Sequence, residues 1–232
     1  MKLPRLVQVA ALALLNNTLP PIMRDSRLLM TPLMRVVFGR HAPLVMDFKD
    51  RAMSMSEAEY IDFYRQVAPF AISKETDLNR KCIKRMLDEV VDCQVLEAGC
   101  GRGFLARKLA ARNDVTACDI VISDDTRRQI PTVRFFEANV DHLPFADRTF
   151  EIVVCTHTLE HTRDLLSSIA ELRRVTRRRL IIVVPKERPY RFTFNAHLHF
   201  FPYPHSLQAV MGANRTATCD IVGGDLYYVE DL

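Results

Sequence analysis

From residue 94 to residue 184, short apolar runs alternate with longer stretches of helical periodicity, and this alternation restricts the fold more than any other property of the chain. The runs at 95–98, 115–120, 133–137, 152–155 and 180–184 have strand length and are rich in apolar and β-branched residues. Between them, 104–112, 124–129 and 165–175 read as helices. The last places Leu165, Leu166, Ile169, Leu172 and Val175 on one face. Strands separated by helices cannot pair as hairpins. They form a mainly parallel sheet whose crossovers lay helices on both faces. After 217–222 a Gly223-Gly224 pair leads into 226–229, the pattern of a tight antiparallel hairpin.

The first ninety residues follow a different rule. Ser56 and Glu59 form a capping box that opens a helix through Tyr60, Phe63, Tyr64 and Val67, interrupted by Pro69. A second helix, beginning near Asp77, carries Ile83, Met86, Leu87 and Val90 at helical spacing. The expected organisation is a helical extension over residues 1–90 and a sheet domain over residues 91–232. At 232 residues the chain has room for one substantial core.

Near the start, Lys2 and Arg5 precede an apolar run at 6–15 that is too short to span a bilayer and lacks a clear cleavage site. It is expected to dock on the domain or to touch a membrane surface through residues 1–20. A net charge of +4 does not mark a nucleic-acid binder. The cluster Arg173, Arg174, Arg177, Arg178, Arg179 reads as a solvated helix end, with phosphate or acidic lipid as the alternative. Six cysteines without a C-x-x-C pair signal neither a zinc knuckle nor a redox dithiol and fit a reducing, cytoplasmic setting.

The segment Glu97-Ala98-Gly99-Cys100-Gly101-Arg102-Gly103 joins the first strand to its helix, at the carboxyl edge where parallel sheets bind ligands. Taken alone, Gly101-x-Gly103-x-x-Ala106 also satisfies a dinucleotide pattern. Three neighbours separate the alternatives. Glu97 ends the first strand, where a carboxylate repels a pyrophosphate but suits the cationic amino group of an amino-acid ligand. Asp119 ends the second strand, placed to accept ribose hydroxyls. Asn139 follows the third, where an amide reads an adenine edge by donating and accepting.

With Leu143-Pro144-Phe145 leading to Phe150-Glu151-Ile152-Val153-Val154, and Leu159-Glu160-His161 next, residues 94 to about 185 resemble class I S-adenosylmethionine-dependent methyltransferases of the ubiquinone and menaquinone biosynthesis type. The resemblance implies a Rossmann-like, mostly parallel seven-stranded sheet. It further implies that Glu97, Gly99, Gly101 and Gly103 hold the methionine part of S-adenosylmethionine, Asp119 the ribose, and Asn139 with Val140 the adenine. Cys100, Ile120 and Thr156 are expected to line the same site. Asn139 stands where Asp is commoner in the family. The usual Pro-Gly-Gly turn before the fifth strand is replaced by Thr176-Arg177-Arg178-Arg179.

Histidines gather after the fourth and fifth strands. His157, His161 and His199 are candidate general bases, since imidazole accepts a proton near neutral pH. His157, Glu160, His161 and His199 also resemble the divalent-metal pattern of some O-methyltransferases, with His157 replacing a Glu. A third reading has Glu160 and His161 merely capping the next helix. Tyr190, Phe192, Phe194, Phe200, Phe201 and Tyr203 make the later loop aromatic, either an acceptor wall or packing. The expected function is methylation of a small-molecule or lipid-intermediate acceptor, with O-methylation ahead of C- or N-methylation. A non-catalytic regulatory or assembly protein and a nicotinamide-dependent oxidoreductase are the alternatives. No Asn/Asp-Pro-Pro-Tyr/Phe segment follows the fourth strand, which sets nucleic-acid methylation aside.

Overall fold

The computed structural model describes residues 20–67, 75–192 and 194–232. The apolar run at 6–15 and the break expected at Pro69 lie outside the described residues. The chain divides into two compact units, one of Met1–Ser73 with Pro189–Leu198, the other of Lys74–Arg188 with His199–Leu232. The sequence pattern suggests a single boundary at residue 90. In the structure the helix at Arg80–Glu89 packs with the sheet, because Cys82, Met86 and Val90 enter the sheet's core.

The helical unit runs α1 (Pro21–Arg24), α2 (Arg27–Phe38), α3 (Ala42–Arg51) and α4 (Glu57–Val67). The capping box at the start of α4 forms: Ser56 N–H donates to Glu59 Oε2 at 2.8 Å, and Glu59 N–H donates to Ser56 Oγ at 3.3 Å. On α2, Met30, Met34 and Phe38 recur every fourth residue and pack with Met46 of α3. Phe192 completes that cluster and is buried within it, so one of the loop aromatics is core. Its segment is tied down by Lys49 Nζ donating to Tyr190 O at 2.6 Å and by Arg191 N–H donating to Asp25 at 2.7 Å.

In the second unit α5 (Arg80–Glu89) precedes β1 (Gln94–Ala98), α6 (Phe104–Leu109), β2 (Asp114–Asp119), α7 (Asp124–Gln129), β3 (Arg134–Glu137), β4 (Phe150–Thr156), α8 (Leu165–Val175), β5 (Thr176–Pro185), α9 (Pro204–Met211), β6 (Thr218–Val222) and β7 (Asp225–Asp231). The seven strands lie in the order β3-β2-β1-β4-β5-β7-β6. Strands β1 to β5 pair in parallel, while β7 is antiparallel to both β5 and β6. The expected α/β sheet with a C-terminal antiparallel hairpin is present.

Alternation along the strands shows why both faces carry helices. Val95, Ile152, Val154, Ile181, Val183 and Tyr227 face one core with α5 and α6. Their immediate neighbours Leu96, Val153, Cys155, Ile182, Val184 and Tyr228 face the other core with α8 and α9. A strand buried on both sides reads as a continuous apolar run, and these do.

Two element boundaries differ from expectation. β5 begins at Thr176, directly from the end of α8, so Thr176-Arg177-Arg178-Arg179 is strand and not turn. A register shift between Phe150 and Ile152 absorbs the irregularity. The arginines there are ion-paired: Arg173 with Glu230 at 2.8 Å, Arg174 with Glu171 at 2.7 Å, Arg177 with Glu151 at 3.0 Å and Arg179 with Asp231 at 2.6 Å. Only Arg173 and Arg174 of this cluster belong to the helix end that the sequence suggested.

The other difference is the start of α5, which is set by Asn79 and not by Asp77. Asn79 Oδ1 accepts the N–H groups of Lys81 and Cys82 at 2.9 and 3.0 Å. Its Nδ2 donates to Val222 O at 2.9 Å and to Asp225 Oδ2 at 2.7 Å, fastening the helix to the β6–β7 turn. Asn79→Ala removes the cap and both tethers. Urea unfolding should show a loss of about 2 kcal/mol, while a loss within ~0.5 kcal/mol would show the tethers to be idle.

Candidate functional site

The glycine loop leaves β1 at Ala98 and is pinned to the end of β2. Gly99 N–H and Cys100 N–H both donate to Cys118 O, at 2.8 and 3.0 Å, and Gly101 N–H donates to Asp119 Oδ2 at 2.7 Å. Gly99 has φ +79°, and a Cβ there would collide with the Thr158 side chain. Gly101 has φ +52° and a Cβ would meet nothing within 4 Å, so backbone amides border open space at this point.

The two acids of the site are held at unequal cost. Asp119 is half-buried at the end of β2. Burial raises its pKa, although backbone N–H groups of Gly101, Val121 and Ile120 oppose that rise. Glu97 is 2 % exposed. Burial pushes its pKa well above the usual carboxylate range, against a backbone hydrogen bond from Ala106 and with further help from the charge of Asp119. Its Oε2 is buried without a protein partner. An orphaned carboxylate oxygen beside an open glycine turn suits a cationic amino group, which would restore the missing interaction. The residues therefore fit the methionine end of S-adenosylmethionine.

The remaining donor-site candidates stand nearby along the same edge. Val140 is buried in the core beneath β3's exit. Asn139 is half-buried and its Oδ1 accepts Asp141 N–H at 3.4 Å. Cys100 and Thr156 are buried, and Ile120 is half-buried. Thr158, which the sequence reading passed over, braces the loop: its Oγ1 donates toward Thr156 O at 3.0 Å and Gly99 O at 3.4 Å. Nothing in the sequence pattern marks that contact.

The histidines separate into two kinds. His157 follows β4 with φ +49°, unusual for a residue with a side chain. Its Nε2 faces Asp225 Oδ2 at 3.3 Å and its Nδ1 faces Glu160 Oε1 at 3.5 Å. Burial alone would lower its pKa. The hydrogen bond to Asp225 and the charges of Glu160, Asp225 and Asp77 outweigh burial and raise it. His199 behaves in the opposite way. Burial lowers its pKa, partly offset by a hydrogen bond to Thr162, whose carbonyl lies 2.8 Å from Nε2. A carbonyl can only accept, so Nε2 carries the hydrogen and Nδ1 presents the lone pair.

Of His157, Glu160, His161 and His199, the pair Glu160 and His161 places ligand atoms within 4.8 Å of one another. The structure brings His157 and Glu160 together, but both ring nitrogens of His157 face carboxylates and His199 Nε2 faces a carbonyl. His161 closes the one-turn helix Leu159–His161, its N–H donating to Thr158 O at 2.9 Å. Asp225 is absent from the sequence reading. It lies opposite Pro185 in the β5–β7 register, a pairing that links residues 68 positions apart from His157 and leaves no local signal. Of the loop aromatics, Phe201 is buried in the sheet's core, while Tyr203 is 46 % exposed and stacks on His205.

Comparison with known proteins agrees with this fold. Residues 96–184 match the family described as Methyltransferase domain. They form a class I S-adenosylmethionine-dependent methyltransferase domain. The chain is 26% identical over 182 residues to YcgJ of Bacillus subtilis, an uncharacterized methyltransferase, covering 69% of this chain and 70% of that protein. An uncharacterized protein of Methanocaldococcus jannaschii is 30% identical over 146 residues, 62% of each chain. A malonyl-[acyl-carrier protein] O-methyltransferase of Serratia marcescens is 31% identical over 87 residues, 36% of this chain and 34% of that enzyme. The chain thus spans under two thirds of the length of the last two. The crystal structure of a SAM dependent methyltransferase from Aquifex aeolicus shares the fold, with a TM-score of 0.50, 18% identity, and coverage of 64% of this chain and 88% of that one.

The charge on His157 has a pH behaviour of definite sign. A His whose folded pKa is raised stabilises the fold most below its unfolded value of about 6.5, and the contribution is lost as pH rises through the raised value. His157→Asn tolerates the left-handed backbone and removes the charge. The stability gap between the native protein and His157→Asn, measured by urea midpoints, should be widest near pH ~6 and narrow as pH climbs. A gap that widened with pH would contradict the ring's placement between carboxylates.

Proposed function

We propose that this protein transfers a methyl group from S-adenosylmethionine to the oxygen of a small-molecule or lipid-intermediate acceptor, with His199 as the general base. The observation that carries the reading is the buried Glu97 oxygen without a partner, next to the open turn at Gly101. When bound, the donor supplies an electrophilic methyl on a sulfonium. The chain's own residues do the rest. Glu97 receives the amino group, Asp119 the ribose hydroxyls, and Asn139 with Val140 the adenine. Cys100, Ile120 and Thr156 border them. Fixing donor and acceptor in line is the larger part of catalysis in such a displacement.

An oxygen nucleophile must also lose its proton. His199 supports that role better than His157, because its depressed pKa keeps it neutral near pH 7 and its Nδ1 is the accepting nitrogen. The resemblance to O-methyltransferases over part of the chain supports oxygen as the acceptor atom. The cytoplasm is the expected setting, where the donor is made. Among the described residues no helix is long and apolar enough to cross a membrane. A lipid-intermediate acceptor would bring the protein to a bilayer surface, and peripheral contact through residues 1–20 belongs to the same reading.

Gly101→Val would fill the open turn and should abolish S-adenosylmethionine binding in isothermal titration; unchanged affinity would remove the site from the loop. Asp119→Ala should weaken binding by about 1–3 kcal/mol through lost hydroxyl contacts. The donor's ammonium beside Glu97 should draw its raised pKa back down, so affinity should rise with pH across that titration, and a fall in affinity over the same range would contradict the placement. Incubation with methyl-labelled donor and a cell extract tests the acceptor. Label that hot hydriodic acid releases as methyl iodide is methoxy, whereas retained label would refute O-methylation.

A further inference from the structure

The solvent side of α2 has the wrong chemistry for solvent. Met30, Met34 and Phe38 already occupy the buried face, yet Leu28 is 83% exposed, Leu29 51% and Val36 65% on the outer one. Pro32 is exposed between them, and Ile22 just before the helix is 82% exposed. A helix packed on one face normally turns charged residues outward. Here the outward row Leu28, Pro32, Val36 follows the i, i+4, i+8 spacing, so these side chains form one continuous apolar strip.

The segment that carries the strip is basic in sequence, although Arg24 is buried over the Tyr190 ring. Residues 1–46 hold six of the chain's Lys and Arg (Lys2, Arg5, Arg24, Arg27, Arg35, Arg40) and a single acid, Asp25. The chain as a whole carries 32 Lys and Arg against 28 Asp and Glu. The net positive charge of the protein is therefore concentrated in this segment. Asp25 is engaged by Arg191 N–H and Arg27 by Asp47. Arg35 and Arg40 are exposed, and both lie at the far end of the strip. An apolar strip bordered by cations, following a sequence run of apolar residues at 6–15, is complementary to an anionic bilayer, whose headgroups attract the arginines while its acyl boundary receives the leucines.

We infer that the outer face of α2, centred on Leu28, Leu29, Pro32 and Val36 and flanked by Arg35 and Arg40, docks the protein on an anionic lipid surface. The inference rests on the peripheral-membrane reading given above and extends it from residues 1–20 to a defined helix face. It does not depend on which atom is methylated.

The test is cosedimentation of the full chain with vesicles of phosphatidylcholine alone or mixed with phosphatidylglycerol. The native protein should pellet with the mixed vesicles and stay in solution with the neutral ones. Leu28→Glu/Val36→Glu should lose binding, and Arg35→Glu/Arg40→Glu should weaken it on the order of tenfold and flatten its salt dependence. These positions are exposed, so the urea midpoints and S-adenosylmethionine affinity of both variants should equal those of the native protein. If the native chain ignores the mixed vesicles, the inference and the peripheral reading both fall. If it binds but the Leu28→Glu/Val36→Glu variant binds equally well, the helix face is eliminated while the peripheral reading stands. A concentration-dependent dimer abolished by the same variant, without vesicle binding, would assign the strip to a second copy of the chain and overturn the proposal.

Discussion

Parallel strands all start from the same end of a sheet, so each crossover, on whichever face it lies, returns the chain to that end and the carboxyl ends of the strands gather along one edge. Glu97, Asp119 and His157 stand on that edge because β1, β2 and β4 end there. The apolar residues that impose this arrangement are ordinary Val, Ile and Leu in two alternating sets, one for each helical layer. None of them needs to touch a ligand. Their burial fixes strand direction, and strand direction fixes where polar groups can accumulate without entering the core.

The electrostatics of the edge then follow from how completely each polar group loses water. Asp119 keeps three backbone N–H donors and partial exposure, so its carboxylate is tolerated. Glu97 has one backbone donor and almost no solvent, so burial disfavours its charged form in a way that a neighbouring cation would relieve. His157 and His199 illustrate the same balance for bases. Two carboxylates overcome the burial of His157, whereas a lone carbonyl does not overcome that of His199.

What could be read from the sequence was whatever depends on local spacing. Periodicities of two and 3.6 located the strands, α8 and the hairpin. The acids after successive strands located Glu97 and Asp119. Reading failed where a residue's role is set by a partner distant in the chain. Asn79 looks like any loop residue until the β6–β7 turn is beside it. The arginines at 177–179 suggested a turn because charged residues are rare in interior strands. They are tolerated in β5 because Glu151 and Asp231 lie within reach of Arg177 and Arg179. Phe192 looked like a binding-loop aromatic but fills a gap among methionines of the helical unit.

The placement of β7 has a consequence for how the molecule is made. It follows β6 in the chain yet sits inside it, between β5 and β6. During synthesis β5 therefore presents a bare hydrogen-bonding edge until the whole hairpin has emerged and can insert as a unit. The glycine loop, Glu97 and Asp119 can assemble from β1 and β2 well before then, but Asp225, which faces His157, arrives only with the hairpin. The growing chain thus passes through a stage that can present its donor-side groups while the opposite half of the edge is unfinished, and the exposed β5 edge makes that stage the one most vulnerable to joining a neighbouring chain.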